Sequence, residues 1–239
     1  MFFEGEKLFK SFGGLMAIRG LDITVNEGEI LGLIGPNGSG KTTLFSLITG
    51  FLKLDSGRVK FKGQDITGLK PHQVCESGIT RTFQLVKPFA KMTAVQNVMV
   101  SRVYGRDPAK SLKQASAESG ETLHFVGLGE KEDVIASSLT LADRKRLELA
   151  RALAAKPHLL LLDEMMAGLN PVETEAAMQL VQDIRNSGIT IIMVEHIVKA
   201  VLGISSRVVV ISTGEKIAEG TPQEVVNNQQ VIEAYLGSA

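Results

Sequence analysis

A chain of 239 residues, 44% of them apolar, is long enough to bury a sizeable core, which excludes a disordered protein. Lys plus Arg and Asp plus Glu balance at 26 each, which argues against a general nucleic-acid coat. The single cysteine, Cys75, excludes an intramolecular disulfide and fits a reducing compartment, where it is expected as a buried spectator.

The opening MFFEGEKLFK carries no basic region ahead of an apolar core, so no signal peptide is expected. No apolar run approaches the roughly 20 residues needed to span a bilayer. EILGLIG (29–35) reads as a buried strand ending in glycine. KTTLFSLITGF (41–51) follows, with Leu44, Leu47 and Ile48 at helical spacing. SGRVKFKG alternates with period two, and GITRTFQ reads as a further strand. From Pro88 to Ala155 the pattern turns helical, with Gly and Pro breaks around 105–108 and 127–129. After Pro157 strands return as LLLLDE, GITIIMVE and SRVVVIS, with helices between them. Asn170 is placed to cap the first of these helices, with Pro171 at its first position, and TPQE (221–224) has the form of a capping box. This alternation predicts an α/β fold with a mostly parallel core sheet covered on both faces. An all-helical segment, 88–155, is inserted into a core made of 1–87 and 156–239.

GPNGSGKT (35–42) matches G-x-x-x-x-G-K-[ST] between a predicted strand and a predicted helix, the context that marks a P-loop. Glycines at 35, 38 and 40 would let backbone N–H groups wrap phosphates with no Cβ in the way, and the helix that follows points its positive end at the same anion. The nucleotide-contacting set is therefore Gly35, Pro36, Asn37, Gly38, Ser39, Gly40, Lys41, Thr42 and Thr43. Lys41 is expected to reach the β- and γ-phosphates of ATP, and Thr42 to offer its hydroxyl to Mg²⁺. In LLLLDE, Asp163 would hold Mg²⁺ through water and Glu164 would act as general base on the attacking water. The competing reading is a solvated strand end.

With these two motifs in place, the chain resembles the nucleotide-binding subunits of ABC transporters over nearly its whole length. The resemblance implies a P-loop NTPase of the ABC ATPase type, a single domain with an N-terminal antiparallel β-subdomain and the helical insert. It implies that Gln84 in RTFQ senses Mg²⁺ and the γ-phosphate, and that His196 in MVEHI contacts the γ-phosphate. A lone histidine is otherwise more often structural. Phe12 in KSFG matches the aromatic that stacks on adenine, the alternative being a core aromatic. RTFQLVKPFAKMTAVQNVMV, MMAGLNPVE, VEHIVKAV and the tail GEKIAEGTPQEVVNNQQVIEAYLG are similar to the ATPases of branched-chain amino acid importers.

One segment departs from that pattern. Aligned on RKRLELARAL, LTLAD (139–143) falls where the family carries its Leu-Ser-Gly-Gly-Gln signature, which binds the γ-phosphate held by the opposite subunit of a head-to-tail dimer. Thr140 keeps the hydroxyl and is a good N-cap, with Asp143 three residues on. Leu141 and Ala142 add bulk where backbone must approach phosphate, and Asp143 adds charge near an anion. LTLAD is then either a helix start that has lost the contact or a partly working signature. Asn170, where an aspartate usually closes the dimer loop, is equally explained as an N-cap.

The resemblance implies ATP and Mg²⁺ as cofactors, separate transmembrane permease subunits, a second ATPase subunit (a heterodimer rather than a homodimer), and a periplasmic or extracellular substrate-binding protein, with no role for nucleic acid. The expected location is peripheral, on the cytoplasmic face of the membrane, and the expected cargo a branched-chain or related amino acid. One rival is a lipopolysaccharide-export ATPase. Another is a soluble ABC ATPase of DNA repair or translation, against which the lack of long coiled-coil insertions and of a tandem unit argues. A P-loop kinase leaves Gln84, His196 and the signature-like helix start unexplained.

Overall fold

The computed structural model of the chain describes residues 1–236. In chain order it runs through β1 (Phe3–Phe12), β2 (Leu15–Val25), β3 (Ile30–Ile34), α1 (Lys41–Ile48), β4 (Ser56–Phe61), β5 (Gln64–Asp65), α2 (Pro71–Ser77) and β6 (Ile79–Arg81). Three helices follow, α3 (Ala94–Tyr104), α4 (Leu112–Phe125) and α5 (Leu141–Ala154). The chain then returns through β7 (Leu159–Asp163), α6 (Pro171–Asn186), β8 (Thr190–Val194), α7 (Val198–Ile204), β9 (Arg207–Ser212), β10 (Glu215–Gly220), α8 (Pro222–Val226) and α9 (Gln229–Leu236). Gly237, the last residue of the importer-like tail, lies outside the described residues.

These strands form two sheets. The first is antiparallel, in the order β2-β1-β4-β5, and the second has the order β10-β9-β3-β8-β7-β6. In the second sheet every pair is parallel except the β9–β10 hairpin at one edge. All five residues of β3, of β7 and of β8 are buried, as strands covered on both faces must be. Side chains alternate between two cores, following the period of two along a strand. Leu31, Leu33, Leu161, Ile192 and Val194 pack with Leu44 and Phe45 of α1 and with the antiparallel sheet. Ile30, Leu160, Leu162, Ile191 and Met193 pack with Leu147, Val181 and Val201 of α5, α6 and α7. The 35–42 segment and the end of β7 are thus carried on interior strands of the sheet.

Two expectations change. GITRTFQ is not a strand to its end, because β6 stops at Arg81. Its Thr82 still reaches β7, donating N–H to Leu161 O (2.9 Å) and accepting Asp163 N–H on Oγ1 (3.1 Å). Beyond it Phe83 and Gln84 are exposed, since an edge strand has no second neighbour to hold them. Cys75 is half-buried on α2 rather than buried, and burial pushes its thiol pKa up, away from the reactive thiolate. Among the described residues no helix is long and apolar enough to cross a membrane.

Candidate functional site

β3 delivers the chain from the sheet into the glycine loop. A Cβ on Gly35 would lie 2.0 Å from Ile211 O, and one on Gly40 would lie 2.6 Å from Ala17 O. Glycine is therefore required at these two positions to clear the protein's own carbonyls as well as any phosphate. α1 then begins behind Gly40 with no side chain capping it, so the helix start keeps its N–H groups and its positive end. Lys41 is buried beneath the loop, its Nζ donating to Gly35 O (2.8 Å) and Pro36 O (2.9 Å). Burial pushes its pKa down, opposed by the charges of Glu164 and Asp163.

The loop from Asn37 to Thr43 lines a cleft of about 680 Å³ together with Phe12, Gln84, Glu164 and His196. Phe12 ends β1 with 46% of its surface exposed, which removes the core-aromatic alternative. The His196 side chain is 48% exposed, so it is not a core histidine either. Both Gln84 and His196 converge on one carboxylate. Gln84 Nε2 donates to Glu164 Oε2 at 2.6 Å, and His196 Nε2 lies 2.6 Å from Glu164 Oε1.

Glu164 itself stands one residue beyond β7 with φ at +51°, a left-handed conformation that costs an ordinary residue about 1 kcal/mol. Its backbone is fixed on both sides. The N–H donates to Val194 O (2.9 Å), and the carbonyl accepts from Lys145 Nζ of α5 (3.1 Å). A non-glycine residue held in this region beside a cleft is a common mark of a functional position.

Asp163 is buried at the end of β7, and Arg81 Nη2 donates to its Oδ2 at 2.7 Å. Burial pushes the Asp163 pKa up, and the Arg81 charge and hydrogen bond pull against it. The other oxygen, Oδ1, is buried with no hydrogen-bond partner among the described residues. Thr42, Gln84 and Asp163 share a cavity of about 450 Å³ with Arg81. An unpartnered carboxylate oxygen, a hydroxyl and an amide oxygen fit a hard cation that takes its remaining ligands from phosphate and water. Among the described residues no three His, Cys, Asp or Glu side chains gather into an all-protein metal site.

Thr140 is not brought to this cleft. It is exposed and caps α5, its Oγ1 accepting Asp143 N–H (3.2 Å) and donating to Asp143 Oδ2 (2.8 Å). The same Oδ2 accepts from Lys131 Nζ at 2.7 Å. Burial pushes Asp143 up, yet the hydrogen bonds from Lys131 and Thr140 hold its pKa below the usual value. Asn170 caps α6 in a full capping box with Glu173, which supports the plain N-cap account of that residue.

Three residues around the cleft lie within segments read from the sequence but were given no role there: Arg81, Lys145 and Glu195. Lys145 and Glu148 both fall on the buried stripe of α5, an odd place for charges and the one signal that singles Lys145 out. Glu195 directly follows β8 and is buried, its Oε1 accepting Met166 N–H at 2.8 Å. Burial pushes its pKa up to about 7.

The comparisons with known proteins agree with this geometry. The sequence pattern of the ABC transporter family matches residues 18–167, and that of the branched-chain amino acid ATP-binding cassette transporters matches residues 215–239. The chain is 39% identical to the high-affinity branched-chain amino acid transport ATP-binding protein LivG of Salmonella typhimurium, over 97% of this chain and 96% of that one. It is 34% identical to the lipopolysaccharide export system ATP-binding protein LptB of Haemophilus influenzae, over 97% and 95%. Among solved structures, the ADP conformation of MJ1267, an ATP-binding cassette of an ABC transporter, superposes with a TM-score of 0.90 at 33% identity, covering 99% of each chain. A phosphate loop, a strand-end Asp-Glu pair and full-length likeness to such cassettes lead to one assignment: the chain belongs to the ABC transporter family, as one of its ATP-binding cassettes.

Proposed function

We propose that this chain is the ATP-hydrolysing subunit of an importer for branched-chain or related amino acids. The observation that carries it is the Glu164 carboxylate, held between Gln84 and His196 in the cleft lined by the phosphate loop. The loop and the start of α1 receive the phosphates of ATP, with Lys41 supplying charge and exposed Phe12 offering its ring to the adenine. Thr42 and Asp163, with Gln84 beside them, would hold Mg²⁺, which neutralises phosphate charge when bound. Glu164 takes the proton of the attacking water, and Gln84 and His196 orient that carboxylate.

The substrate class rests on the C-terminal match at 215–239 and on the higher identity to LivG than to LptB. In this reading the helical insert, 88–155, divides from a nucleotide-binding core of 1–87 and 156–239 and docks on transmembrane permease subunits at the cytoplasmic face. A periplasmic or extracellular binding protein delivers the amino acid, and a second, different ATPase subunit completes the pair.

Glu164→Gln tests the reading. Turnover should fall by at least about 10²-fold, the usual contribution of a general base, while MgATP binding persists. Near-normal hydrolysis by the purified variant removes Glu164 from this role.

A further inference from the structure

We infer that Arg81 is a positioning residue for the metal that accompanies ATP, holding one oxygen of Asp163 so that the other stays free beside Thr42 and Gln84. This rests on Asp163 and Thr42 being metal ligands. Arg81 reaches Asp163 because it pairs with Leu161 in the β6–β7 register, two residues before Asp163 on the same strand. Its guanidinium is fixed from several directions. Nη2 donates to Asp163 Oδ2 (2.7 Å), Nη1 donates to Ser46 Oγ (3.2 Å), and the group lies 4.7 Å from the ring centre of Phe83. Ser46 in turn donates its hydroxyl to Thr42 O at 2.8 Å. A continuous chain of contacts therefore runs from the backbone of Thr42 through Ser46 and Arg81 to Asp163, joining the two residues that would flank the cation.

The orientation of Asp163 follows from this chain. With Oδ2 committed to Arg81 and Oδ1 without a hydrogen-bond partner among the described residues, Oδ1 is the oxygen of this buried carboxylate left to a cation or its water. A planar guanidinium can serve Ser46 and Asp163 together while lying against an aromatic ring, and the point charge of a lysine cannot. A buried ion pair that merely closed the core would show none of this selectivity. Its loss would weaken folding and leave metal binding in the folded fraction unchanged.

The experiment uses Mn²⁺ as a paramagnetic probe, its binding to the full-length chain with ADP read by electron paramagnetic resonance. ADP affinity in EDTA is measured in parallel by calorimetry. Arg81→Met should bind ADP without metal as the wild type does, yet bind Mn²⁺ at least about tenfold more weakly, the lower range for loss of an outer-shell partner. Arg81→Lys should fall between the two. Where Arg81→Met does not fold, Arg81→Gln is measured with the same expectation. Wild-type Mn²⁺ affinity in the folded neutral variant overturns the inference. Asp163→Asn separates the two levels: if it loses Mn²⁺ while the Arg81 variants do not, only the role of Arg81 fails. If Asp163→Asn keeps Mn²⁺, the metal-ligand reading of Asp163 fails, and the inference with it.

Discussion

Two buried carboxylates near the cleft are held very differently. Asp163 has the Arg81 guanidinium on one oxygen, whereas Glu195 accepts a backbone N–H from Met166 on Oε1 and has no such ion pair among the described residues. Burial therefore dominates at Glu195 and pushes its pKa up to about 7, against the pull of Met166 N–H and the Lys145 charge, with Glu164 adding repulsion. The sign of the consequence is fixed by linkage. Between the ordinary glutamate range and about 7 the native chain keeps a proton that the unfolded chain has released, so stability falls as pH rises through that window and levels off above it. Glu195→Gln keeps an acceptor for Met166 N–H and removes the titration. We expect it to be more stable than the wild type at pH 8 by up to about 3 kcal/mol, with the advantage shrinking toward pH 5. Urea unfolding at the two pH values checks this. An equal difference at both would mean that Glu195 is ionised in the native state throughout.

At the scale of elements, α5 shows how a helix start can be satisfied within its own chain. Thr140 Oγ1 accepts Asp143 N–H and donates to the Asp143 carboxylate, which Lys131 neutralises. Thr140→Ala should cost about 1 kcal/mol of stability, the usual worth of an N-cap, and Thr140→Ser should cost little. A denaturant titration in which both variants behave alike would show that Lys131 and Asp143 hold the helix end without the hydroxyl. This start was legible in the sequence because capping is local, as were the Asn170 and Thr221 caps. β3, β7, β8 and β9 were legible too, since central parallel strands are short apolar runs. β6 was read too long, because nothing in GITRTFQ marks where an edge strand loses its partner. The site divides in the same way. Gly35 to Thr43 and the Asp163–Glu164 pair lie in contiguous motifs, while Gln84 and His196 needed the family resemblance. Arg81 and Glu195 escaped both routes, since their contacts lie 82 and 29 residues away in the chain and only the sheet brings them together.

At the scale of the whole molecule, the residues proposed for this chain's own nucleotide site gather in one region, while the segment it would offer to a partner departs from the family pattern. Lys41, Gln84, Glu164 and His196 line one cleft, and Asp163 lies in the cavity next to it. Thr140, by contrast, spends its hydroxyl proton on Asp143, Leu141 stands 52% exposed at the helix start, and Ala142 brings a further side chain where the family has glycine. A C₂ homodimer would set this segment over both nucleotides. A heterodimer meets it once, because the other subunit can bring a glycine-containing signature to this chain's own site. We therefore expect the working form to be a heterodimer in which this chain's phosphate loop serves the more active site. ATPase activity of the purified chain should be low and should rise steeply on reconstitution with its partner. Leu141→Gly with Ala142→Gly should stimulate the other site, or raise the weak activity of this chain alone. Each glycine costs up to about 1 kcal/mol in a helix, so the fold of the double variant is verified by thermal unfolding before its activity is compared. Full, cooperative hydrolysis by the unaltered chain on its own would defeat the heterodimer argument. It would show that Thr140 can exchange Asp143 for a phosphate on a second copy, and that the helix start suffices without glycine.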